Sequence, residues 1–185
     1  MKGKGLLIII GLIVVLAFML GGTYNKLAVL DESIDGSWAQ VENQLKRRAD
    51  LIPNLVNTVK GYTTYEEEVL TKITNARAGI DSARTPQEFA QADAELGTAL
   101  NNLNIVVENY PDLKASPLFA DLQAELAGTE NRITTERMRY NEVVRDYNTT
   151  IRRFPTNIMA GIFNFDNRQY FEINQADAEV PKVEF

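Results

Sequence analysis

The residues able to do chemistry in this chain are carboxylates, arginines and tyrosines, because its 185 residues include no histidine and no cysteine. Thiol nucleophiles, disulfides, haem ligation by histidine, Cys/His zinc sites and Ser–His–Asp triads are excluded. Lipid acylation at cysteine is excluded with them. Glu66-Glu67-Glu68 has the charge to hold a cation, but acids at a helix start also compensate its dipole on a solvated turn, and that is the expected role. A glycosidase-like pair needs two acids facing one cleft, whereas each acid that can be placed here is explained by capping or a solvated face. Tyr140 and Tyr147 are expected to bury their rings and keep their hydroxyls bonded rather than to line a ligand pocket. Arg48 falls on an apolar seam. It is expected to snorkel outward from a kinked core helix. The rival reading is a buried contact with a carboxylate that fixes helix register, with Glu136 as the candidate partner. No catalytic, cofactor-binding or metal-binding set is expected.

The elements that position these residues are helices. Leu27, Leu30, Ile34, Trp38, Val41, Leu45, Ile52, Leu55, Val59 and Tyr62 recur at steps of mostly three or four, one buried face of a helix from about 24 to 60. Pro53 lies inside it and should strain it against the Ala49 carbonyl, so other helices must lie over this stretch. Gly61 is its stop. Thr64 and Glu67 read as a capping box for a second helix bearing Val69, Ile73, Ala76, Ile80 and Ala83. Thr85-Pro86-Gln87-Glu88 reads as N-cap, N1 proline and capping-box acid for a third, whose stripe runs from Phe89 through Ala92, Leu96, Leu100 and Leu103 to Val107. Residues 110–115 read as a packed loop. Ser116-Pro117 starts a fourth helix with its stripe from Phe119 to Phe154. Thr129 and the charged step at Glu136 or Arg137 interrupt that stripe and need partners.

The stretch from Arg47 to Val56, Arg-Arg-Ala-Asp-Leu-Ile-Pro-Asn-Leu-Val, followed by Val59-Lys60-Gly61-Tyr62, resembles the signature of the LemA family. The resemblance continues in Asn75-Ala76-Arg77-Ala78, in Glu108 to Ala115, in Thr129 to Ile133, and from Tyr140-Asn141 to Tyr147-Asn148-Thr149. It implies a helical bundle on a bacterial membrane anchor and implies no reaction. Tyr65-Glu66 departs from the His-Glu of many relatives, so any role of that histidine is not carried over.

Lys2 and Lys4 precede an uncharged run from Leu6 to Gly22, about the length of a membrane-spanning helix. Leu20 and Gly22 ahead of Thr23 make a poor signal-peptidase site, so an uncleaved, single-pass transmembrane anchor is expected over residues 1–22. The positive-inside rule places the N-terminus in the cytoplasm. Of the 19 basic residues, Lys2 and Lys4 precede the run, leaving 17 against 25 acids, a net of −8; such a domain is a poor candidate for nucleic acid and for electrostatic binding to anionic lipid.

The fold class expected is all-α: the N-terminal transmembrane helix followed by an antiparallel four-helix bundle over residues 23–165, with an extended tail over 166–185. Long outer helices of roughly 55 Å and shorter middle ones favour alternation over one continuous rod of helices one and two. The function expected is non-enzymatic: a scaffold or self-assembling, homo-oligomeric interaction module of the bacterial inner membrane. Its partners would be the lipid bilayer, further copies and other envelope proteins. The alternative is an extracytoplasmic sensor or ligand-binding bundle working through a partner membrane protein. Ile158, Met159, Ile162, Phe163 and Phe165 form the candidate membrane or self-association contact, with a cap over the open end of the bundle as the rival.

Overall fold

The computed structural model describes residues 2–63 and 66–172, and of residues 2–9 and 12–19 the backbone alone. Among the described residues six helices follow in order: α1 (Lys2–Lys60), α2 (Glu67–Ser82), α3 (Pro86–Val107), α4 (Pro111–Lys114), α5 (Pro117–Arg152) and α6 (Thr156–Phe163). No strand occurs among the described residues. The expected anchor lies largely outside the residues whose side chains are described. Among the described residues, no helix is long and apolar enough to cross a membrane. The helix itself passes unbroken through Gly21-Gly22 and Pro53.

The chain forms two compact units. One comprises Met1–Trp38 and Asn141–Arg168, the other Ala39–Tyr140 and the chain from Gln169 onward.

In the second unit, α1, α2, α3 and α5 pack as a bundle. Six residues separate α1 from α2, and Arg77 on α2 reaches back to Ala49 on α1. A methyl group added to Gly79 would lie 3.3 Å from Cβ of Ala92, so α2 and α3 approach closely. Asn104 near the end of α3 pairs with Gln123 near the start of α5 at 2.9 Å. Successive long helices therefore run in opposite senses. Val41, Leu45, Ile52, Leu55 and Val59 of α1 are all buried, each contributing on the order of 1.5–3 kcal/mol.

Several local readings change. Tyr62 is exposed and lies past the end of α1. Gly61 does end that helix, but without a left-handed turn; Gly61 and Tyr62 bond back to Thr58 and Val59 instead. Glu67 is the first residue of α2, so it cannot close a capping box as the third helical residue, and the N-cap Glu66 makes no side-chain cap bond. Thr64 lies outside the described residues. Leu70, not Val69, fills the α2 seam. The capping box of α3 forms as read, with Thr85 accepting from the Glu88 N–H and Glu88 accepting from the Thr85 N–H. Residues 111–114 are a single helical turn rather than a loop, placing Leu113 fully in the core.

Pro53 has no N–H to give the Ala49 carbonyl, which it would otherwise leave bare. Arg77 supplies that bond, its Nε donating to the Ala49 oxygen at 3.1 Å. Arg77 belongs to the Asn75-Ala76-Arg77-Ala78 stretch, so two family-like motifs meet across α1 and α2. Arg77→Ala should cost about 1–2 kcal/mol in chemical denaturation. The cost should shrink in a Pro53→Ala background, where the alanine N–H can bond Ala49. Additive losses in that double-mutant cycle would show that the two positions are not coupled.

Candidate functional site

Two constructions stand out, one in each unit. In the first unit, α5 ends at Arg152 and α6 begins at Thr156, immediately after Pro155. A proline cannot continue the ladder of α5 but suits a helix entry. Asn164 closes α6 in the left-handed conformation (φ 57°) that asparagine tolerates. The N–H groups of Asn164 and Phe165 both donate to the Ala160 carbonyl. This turn brings Phe165 to the Tyr24 ring, with centroids 5.8 Å apart, while Phe163 meets the same ring edge-on at 5.0 Å.

The five residues singled out in the sequence do not share one face. Met159 is buried, together with Ala160; Phe165 is half-buried; Ile158, Ile162 and Phe163 are exposed. Phe154, read as the last stripe residue of the fourth helix, is 80% exposed, because α5 stops two residues before it. An apolar groove of about 370 Å³ lies between Leu20, Gly21, Tyr24 and Asn25 of α1 and Met159, Ile162 and Phe163.

Residues 167–171, after α6, are held by side chains. Asn148, a buried amide in the Tyr147-Asn148-Thr149 stretch, donates to the Arg168 carbonyl and accepts from the Arg168 N–H, both at 2.9 Å. The Arg168 side chain reaches Asp31 at 2.8 Å and Asp35 at 3.4 Å on α1, and its bond to Asp31 raises an already high pKa. In the second unit, Tyr140 donates its hydroxyl to the Gln169 carbonyl at 2.8 Å. Arg137 stacks 4.6 Å above the Phe171 ring, which is 1% exposed. Residues 166–172 thus have no regular secondary structure, yet the segment is anchored by side chains. Residues 173–185 of the expected extended tail lie outside the described residues.

The second construction is ionic. Arg48 does not snorkel: it is 5% exposed. Its guanidinium bonds Asp93 of α3 at 2.6 Å and pairs with Glu130 of α5. Asp93 is as buried as Arg48, whereas Glu130 is about half exposed. The rival reading of Arg48 is therefore the one the structure bears out, with different partners. Glu136 pairs with Arg139 on its own helix. It lies six residues beyond Glu130, about 9 Å along the helix axis. Asp93 was legible. It sits four residues after Phe89 and three before Leu96, on the α3 seam beside Ala92, which is buried as expected. Thr129, also fully buried, satisfies its hydroxyl on the Leu126 carbonyl at 2.7 Å.

The Glu66-Glu67-Glu68 run does not converge. Glu66 accepts from the Tyr110 hydroxyl at 2.9 Å, and that oxygen accepts in turn from Thr63. Glu68 pairs with Lys72. Among the described residues, no group of three or more acids is gathered as a metal site would need. An open groove of about 640 Å³ between α2 and α3 is lined by small and polar residues, where Gln91 and Glu95 bond to each other along α3.

Burial pushes the Asp93 carboxyl above its ordinary value of 3.8; the Arg48 charge pulls it back, and Glu130 adds to the rise. A carboxyl raised in the folded state stabilises most below its unfolded pKa, and that contribution is lost as pH rises through the folded value. Wild type should therefore lose stability relative to Asp93→Asn as pH increases upward from about 4, read as melting temperatures across a pH series. The opposite slope would mean that pairing to Arg48 outweighs burial. Arg48→Ala should cost about 3–5 kcal/mol, since it strands Asp93 unpaired. Adding Asp93→Ala should recover much of that loss.

Comparison with known proteins agrees with these motifs. The model of the LemA family matches residues 37–185. Protein LemA of Metamycoplasma hominis is 30% identical over 174 residues, covering 90% of this chain and 78% of the relative. Magnetosome protein MamQ 2 of Paramagnetospirillum magneticum is 26% identical over 194 residues, covering 90% and 71%. Magnetosome protein MamQ of Magnetospirillum gryphiswaldense is 23% identical over 174 residues, covering 80% and 64%. The chain belongs to the LemA family.

Proposed function

We propose that this protein is a non-enzymatic, membrane-associated envelope protein. In this reading Leu6–Gly22 is a single-pass anchor in the bacterial cytoplasmic membrane. The N-terminus faces the cytoplasm, and the helical domain outside it acts as a scaffold or self-assembling interaction module. The observation that carries the reading is the continuity of α1. One unbroken helix holds the uncharged run and then supplies packed core from Leu27 onward, so whatever holds the run also holds the domain. Relatives named for the magnetosome support attachment to a cell structure. The partners proposed are the lipid bilayer, further copies of the chain and other envelope proteins, not nucleic acid, for which the acidic balance of the chain is unsuited.

A second reading, a ligand-binding bundle acting through a partner membrane protein, has the α2–α3 groove as its support. The polar groups there bond along their own helices, which favours the first reading.

The full chain should remain in the membrane fraction after alkaline carbonate. Its domain should be digested when protease is added to spheroplasts. Release by carbonate would remove the anchor, and protection from protease would reverse the topology.

A further inference from the structure

On and just before α6 the first unit exposes four large apolar side chains, Phe154, Ile158, Ile162 and Phe163, with Ile162 63% exposed. Met159 and Ala160 bury the inner side of α6, and Asn164 closes it. The Tyr24 ring buttresses Phe163 and Phe165. The groove beside them is completed by Leu20 and Gly21, two of the last three residues of the uncharged run that starts at Leu6.

Charge at this end departs from that of the chain as a whole. From Tyr147 to Arg168 the sequence carries Arg152, Arg153 and Arg168 against the single acid Asp166, in a chain of net charge −6. Arg168 is committed to Asp31 and Asp35. Arg152 donates to the Asn167 amide oxygen and to no carboxylate, and Arg153 is exposed without a salt bridge among the described residues. On α1, Lys26 is likewise exposed without one, next to the groove residue Asn25. Exposed apolar and aromatic side chains rimmed by cations are what the boundary between acyl chains and anionic headgroups selects.

We propose that α6 is an interfacial helix. It rests on the same bilayer that holds the N-terminal run, with Phe154, Ile158, Ile162 and Phe163 at the acyl boundary and Arg152, Arg153 and Lys26 meeting lipid phosphates. This rests on the reading of Leu6–Gly22 as an anchor. It assigns a second, independent membrane contact, more than a hundred residues later in the chain. Two contacts on one surface fix the tilt and rotation of the unit against the membrane, which a single helical span does not.

The absence of native cysteine makes the test direct. The full chain carrying Ile162→Cys is labelled with an environment-sensitive fluorophore and reconstituted into vesicles of phosphatidylethanolamine and phosphatidylglycerol. Flotation is scored first, then quenching by spin-labelled lipid and by aqueous iodide. Leu118→Cys, exposed at the far end of α5, serves as the comparison. The expected result is flotation, with severalfold stronger lipid quenching and weaker iodide quenching at 162 than at 118. Arg152→Glu with Arg153→Glu should lower lipid quenching at 162 severalfold while the chain still floats. Flotation with iodide quenching at 162 equal to that at 118 overturns the inference and leaves the anchor standing. Protection of 162 from both quenchers also overturns it, because a second copy then covers the patch. A chain that does not float overturns the anchor and the inference together. Unchanged quenching in the double-glutamate variant overturns the role of the phosphates.

Discussion

A guanidinium taken out of water is tolerated only when it is paired, and the pairing of Arg48 joins three helices at one level. Arg48 on α1 contacts Asp93 on α3 and Glu130 on α5. Apolar stripes alone allow neighbouring helices to slide by a turn at small cost, because one leucine row resembles the next. A buried cation does not allow it: displacement by one turn strands both the guanidinium and Asp93 in the core, at a cost of several kcal/mol. Glu130, half in solvent, gives the cluster a hydrated edge. The bonds from Ala49 to Arg77 and from Arg47 to Glu125 lie at the same level of α1. The α1 segment that looks least like a helix core is thus where the second unit is most tightly specified.

Pro53 shows the same logic at the level of the backbone. A proline in a helix removes one hydrogen bond and exposes one carbonyl. That defect is tolerable at Ala49 because α2 brings a long, always-charged donor to it. The helix and its repair are therefore encoded on different elements. Neither stretch accounts for the other in isolation: the proline looks like a breaker, and Arg77 like a surface arginine.

The segment from Asn164 to Phe171 is organised differently. Nothing between Asn164 and Phe171 has a ladder of backbone bonds, yet within the first unit the Asn148 amide grips both backbone groups of Arg168. Within the second, Tyr140 and the Arg137–Phe171 stack hold the next residues. These are side-chain substitutes for secondary structure, with Tyr140 and Asn148 supplied by family-like stretches of α5. Just before this segment α6 buries Met159 and Ala160 while Ile158, Ile162 and Phe163 stay exposed.

Helix content, most of the stripe residues, the α3 capping box and the family were legible from the sequence alone, because periodicity, caps and motifs are local and survive without knowledge of neighbours. The local signals also placed Arg48 on its seam; Asp93 went unread, although it too sits at helical spacing between apolar residues. What they could not decide was partnership. Glu136 and Glu130 are equally good acids on paper, and only the relative axial placement of α1, α3 and α5 selects Glu130. The same holds for the α6 patch, where the residue types announced an apolar segment. Which of Met159, Ile162 and Phe163 turns inward depends on where Pro155 redirects the chain against α1, a long-range packing outcome that no window of neighbouring residues contains.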